Sequence, residues 1–72
     1  MRIGLKRDCC EELRNYFPKL KVEQAAPGGM PFSFDYIVEC TEEEAQRFLH
    51  TVQRRAPIHA HDIVLAIKYR LD

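Results

Sequence analysis

IHAHDIVLAIKYRLD, residues 58–72, is the stretch on which the fold turns. Two periodicities run through it. Alternation puts Ile63, Leu65, Ile67, Tyr69 and Leu71 on one face and Val64, Ala66, Lys68 and Arg70 on the other. That pattern lasts nine residues and is rich in β-branched and aromatic types, which favours a strand. A helix capped near Asp62 is the competing reading, burying Ile63, Ile67 and Leu71 around Val64. The strand is the expectation taken forward.

The segment before it is less ambiguous. Thr41 has a hydroxyl suited to an N-cap, and Glu44 stands three residues on, as a capping box requires. Glu42 and Glu43 suit the positive end of a helix dipole. Ala45, Phe48, Leu49, Val52 and Ala56 then form an apolar stripe at helical spacing, and Pro57 closes the element. Glu43 and Arg47 are spaced to pair across one turn.

Further back, residues 32–40 alternate, with Phe32, Phe34, Tyr36, Val38 and Cys40 on one face. Residues 19–25 alternate around Leu20 and Val22. Pro27 to Pro31, PGGMP, reads as the turn of a hairpin joining them. Asp8 and Glu11 suggest a second capping box, opening a helix with Cys10, Leu13 and Phe17 as its stripe and Pro18 at its end. Residues 1–7 alternate around Met1, Ile3 and Leu5.

The resulting order is β-α-β-β-α-β, the split arrangement of ferredoxin-like α+β domains. It implies a four-stranded sheet in the order 4-1-3-2, with two helices on one face. If residues 58–72 are helical, the order is β-α-β-β-α-α, and a three-stranded sheet remains. The expected core face holds Ile3, Leu5, Leu20, Val22, Phe32, Phe34, Tyr36, Val38, Ile63, Leu65 and Ile67.

Seventy-two residues make one domain, 1–72. A chain this short buries only about 60% of its unfolded surface, so nearly all its apolar residues are needed in one core. A deep catalytic cleft would compete for them, and no complete acid/base or nucleophile set is evident. The expectation is therefore not an enzyme. No stretch is long and apolar enough to span a membrane. The start MRIGLKRD lacks the apolar core of a secretory signal, which points to a cytoplasmic setting. Eleven basic and eleven acidic side chains cancel, so no global charge draws the chain to nucleic acid or membrane.

The expected open face of the sheet carries a basic half of Arg2, Lys6, Lys68 and Arg70. These are the candidate partner-binding residues. They suit an acidic region of another protein, met through the open face or an edge strand. A regulatory or interaction module is the leading functional reading, with homodimerisation by the same surfaces as an extension. Nucleic-acid binding through the basic half-face ranks next. Against it, no aromatic is expected on that face, and FSFDYIVEC does not match the aromatic single-strand-binding pattern.

A metal- or thiol-dependent role is the third reading. His59 and His61 with Asp62 are weak metal-ligand candidates, and Cys40, Cys9 or Cys10, or His50, could complete a site. Placing both helix starts past the carboxyl ends of strands one and three gathers the cysteines at one end of the sheet. The histidines would then enter from the other end, so no metal or other cofactor is expected. Cys9 is the expected exposed thiol. The glycines Gly28 and Gly29 have no strand–turn–helix context and no Lys-Ser/Thr, so no phosphate loop is expected.

Overall fold

Ile3 and Leu5, two residues apart on a strand, are both removed from solvent, while Arg2 between the start and Ile3 stays exposed. That period-two burial anchors one face of a small sheet. The computed structural model describes residues 1–25 and 34–71. The expected PGGMP turn, with Phe32 and Ser33, lies outside them. The element order is β1 (Arg2–Leu5), α1 (Arg7–Tyr16), β2 (Lys21–Gln24), β3 (Tyr36–Glu39), α2 (Glu42–Arg55), a 3-10 turn (Pro57–His59) and α3 (Ala60–Lys68).

The sheet has three strands in the order β1-β3-β2, and β3 runs antiparallel to both neighbours. Directly paired residues share a face. The rows Ile3–Val38–Val22 and Leu5–Tyr36–Gln24 face the helices. The rows Arg2–Glu39–Lys21 and Gly4–Ile37–Glu23 form the open face. β1 and β2 are therefore parallel to each other, joined by α1, with β3 inserted between them.

The expected four-stranded, ferredoxin-like sheet is not formed. Residues 60–68 are helical, and α3 lies beside β1, where a fourth strand was expected. One strand-like bond survives at that edge, from Leu71 N–H to Arg2 O at 2.8 Å. Ile63 satisfies both periodicities, and so does Ile67. The deciding residues are Leu65, which a strand would bury, and Ala66, which a helix buries beside Ile63. Ala66 is 8% exposed and Leu65 is 38% exposed. The face lined with Ile63, Ala66 and Ile67 closes the core, and the expected core place of Leu65 is lost.

The caps show how local and tertiary signals differ. Thr41 and Glu44 form the complete capping box, with Glu44 N–H donating to Thr41 Oγ1 at 3.1 Å and Thr41 N–H donating to Glu44 Oε1 at 2.9 Å. Glu43 and Arg47 pair at 3.0 Å on the exposed face. At α1, however, Asp8 lies inside the helix, and the N-cap position is Lys6 without a side-chain bond. Asp35 supplies the acceptor instead: Arg7 N–H donates to its Oδ2 at 2.9 Å, 28 residues away in sequence. α1 ends at Tyr16, just before Pro18, as a residue approaching proline leaves the helical region.

One cluster unites Ile3, Leu5 and Val38 of the sheet with Leu13 of α1, Ala45, Phe48 and Val52 of α2, and Ile63 of α3. Phe17 and Phe48 meet edge-on with centroids 4.9 Å apart, worth about 1 kcal/mol beyond their buried area. Phe34 departs from its expected core position. Its ring lies against Gly4, on the side opposite Ile3 and Leu5, so it belongs to the open face. The bend at Asp35, before β3 begins, breaks the alternation that would have turned it inward.

Candidate functional site

The direction of β3 determines where the functional side chains go. Because β3 is antiparallel to β1, its carboxyl end lies at the start of β1. Met1 and Cys40 exchange backbone bonds there, at 2.7 and 2.9 Å. α2 therefore begins at the Met1 end of the sheet and runs back toward the Leu5 end. The 3-10 turn then delivers His59 and Asp62 to the end where α1 begins. Cys40 is left at the other end, so the three cysteines do not gather as expected.

Cys9 Sγ, a ring nitrogen of His59 and a carboxylate oxygen of Asp62 lie within 4.8 Å of one another. The expected separation of histidines from cysteines is thus overturned for this trio. His61, the other candidate, is exposed and stands outside the group. Cys9 is 1% exposed, contrary to the exposed thiol expected, whereas His59 and Asp62 are half-buried. Burial, reinforced by the Asp62 carboxylate, pushes the Cys9 thiol up to about 12. Burial also raises Cys10, against a smaller lowering by Arg14. Neither thiol is activated as a nucleophile at neutral pH.

A second feature adjoins this trio. Between β1 and α3 runs a cleft of about 290 Å³, walled by Leu5 and Phe34 on one side and Leu65, Tyr69 and Leu71 on the other. Lys6 and Asp62 are the charged groups in its lining. Gly4 lies on the strand side. Met1 and Leu5 direct their backbone groups toward β3, so by antiparallel alternation Arg2 and Gly4 direct theirs outward. Arg2 O is met by Leu71 N–H; the Gly4 peptide groups face the cleft. Leu65 on α3 and Tyr69, just past its end, are exposed at 38% and 51%, as is Val64 at 42%.

The fourth strand that would have set Lys68 and Arg70 beside Arg2 and Lys6 is absent, and the four basic candidates have different neighbours. Arg2 reaches across β3 to pair with Glu23. Arg70 pairs with Glu42 at 3.0 Å. Lys68 holds its ammonium 5.4 Å from the Tyr69 ring centre, and Lys6 lines the cleft. Exposed pairs of this kind contribute under about 1 kcal/mol each, but they neutralise the two arginines.

Sequence reasoning missed Gly4, put Phe34 in the core, and set Cys9 and the pair His59 and Asp62 at opposite ends of the sheet. The antiparallel sense of β3 was the signal for the last: it alone sends the end of α2 back to Cys9. No helix among the described residues is long and apolar enough to cross a membrane. Comparison of the chain with known protein families, with curated proteins and with solved structures found no match.

Proposed function

We propose that this chain is a non-enzymatic interaction module that receives an extended segment of a partner protein in the cleft between β1 and α3. The observation that carries this reading is the outward-facing Gly4 peptide at the edge of β1, opposite the exposed Leu65 and Tyr69. Edge peptide groups bind an added strand through main-chain bonds, and adjacent apolar side chains select its residues. The chain's own Leu71 already uses the neighbouring position of this edge, at Arg2 O. Lys6 and Lys68 beside the cleft favour a segment carrying carboxylates next to its apolar residues.

A displayed library of extended peptides, selected against the whole chain, tests this. Binding peptides should shift the backbone amide signals of Gly4, Leu65 and Tyr69. Leu65→Glu, at an exposed position, should weaken them by at least about tenfold, the loss of roughly 1.4 kcal/mol, while the circular dichroism spectrum stays unchanged. Peptides that shift other regions, or that bind Leu65→Glu equally well, would refute the reading.

A further inference from the structure

Three side chains of different chemistry converge at one end of the fold, from two separate parts of the chain. Cys9 comes from the first turn of α1, His59 ends the 3-10 turn, and Asp62 lies in the first turn of α3. Their donor atoms are mutually within 4.8 Å. No hydrogen bond joins them among those of the described residues. They are close, yet not satisfied by one another.

A tetrahedral zinc ion with bonds of about 2.3 Å to sulfur and about 2.0–2.2 Å to nitrogen and oxygen holds its ligand atoms roughly 3.3–3.7 Å apart. Closing from 4.8 Å takes about an ångström, which side-chain torsions supply without moving a helix. We propose that Cys9, His59 and Asp62 bind a divalent cation of the zinc class. The donor set selects the ion: a thiolate with an imidazole suits zinc, whereas calcium and magnesium take oxygen ligands. His59 and Asp62 are half-buried, so the ion reaches the buried sulfur past them. On binding, the Cys9 S–H bond breaks, its electron pair goes to the cation and the proton passes to solvent.

Three protein ligands leave a fourth position for water or an added donor. Structurally, the ion ties the start of α1 to the start of α3. α3 is nine residues long, too short to hold alone in water, and small domains commonly gain such a staple from a metal. This inference does not rest on the peptide-docking reading: Cys9 and His59 lie outside the cleft lining, and Asp62 is the one donor that the two share.

Metal-free whole chain titrated with cobalt(II), then zinc, tests it. The expected result is one ion per chain, a thiolate-to-cobalt charge-transfer band, bleaching of that band by zinc, and a higher midpoint of thermal unfolding with zinc present. Cys9→Ser should abolish the band. His59→Ala and Asp62→Asn should each weaken binding by more than about tenfold, and His61→Ala should leave it unchanged. Circular dichroism of each metal-free variant identifies those that keep the fold, and Asp62→Asn, on the half-buried rim, is the gentlest. Absence of stoichiometric binding by the folded wild-type chain would overturn the proposal. So would a band that persists in Cys9→Ser, or equal losses in His61→Ala and His59→Ala.

Discussion

The Phe34 ring lies so close over Gly4 that a β-carbon on Gly4 would stand 2.7 Å from its Cγ. The near atoms include the root of the ring, which turning the ring about its own axis cannot move, so Phe34 would have to leave its present χ1 rotamer. Gly4 is thus required here by close approach. Gly4→Ala should destabilise the chain by about 1–3 kcal/mol, the usual cost of overpacking. Phe34→Ala in the same chain should recover much of that loss. Urea unfolding of the two single variants and the double variant measures the coupling.

The pair Ile63 and Leu65 separates the helical from the strand-like reading of the last element. Ile63 is fully buried and Leu65 is 38% exposed. Ile63→Ala should cost about 2–5 kcal/mol. Leu65→Ala should remain within about 0.5 kcal/mol, as for a surface change. Equal costs in chemical denaturation would contradict the placement of α3.

Asp35 caps α1 from across the fold, while Asp8 lies inside the helix. Asp35→Ala should therefore cost about 1 kcal/mol, the typical value of an N-cap acceptor. Asp8→Ala should cost less, through the dipole alone. Thermal unfolding of the two variants at low salt checks the ranking.

The buried Cys9 thiol makes stability fall at alkaline pH. Its folded value, about 12, lies above its ordinary 9.0, chiefly because burial disfavours the thiolate. Between these values the folded state holds a proton that the unfolded state has released. The stabilising contribution is complete below pH 9 and is lost as pH rises toward 12. Metal-free wild-type protein should therefore lose stability more steeply over that range than Cys9→Ala. The thiol should also resist alkylation at pH 8 until urea unfolds the chain.

Much of the architecture was legible from local pattern. Thr41 and Glu44 mark the start of α2 because both partners of the capping box lie within one turn. The burial of Ile3, Leu5 and Val38 follows from alternation, and Pro18 marks the end of α1. The α1 cap was not legible, because its acceptor, Asp35, is 28 residues from Arg7. Phe34 was misplaced because alternation was carried through a bend that ends it.

For residues 58–72, local pattern alone required an apolar element that finishes the core, with Ile63 and Ile67 facing inward. It did not determine which element, because periods of 2 and 3.6 residues both bring those two isoleucines to one face. Tertiary packing decided: the short Ala66 fits inward between Ile63 and Ile67, and Leu65 is left on the surface. The same packing decided the candidate metal site. Antiparallel β3 sends α2 back along the sheet, and the tight 3-10 turn after it brings His59 and Asp62 to Cys9.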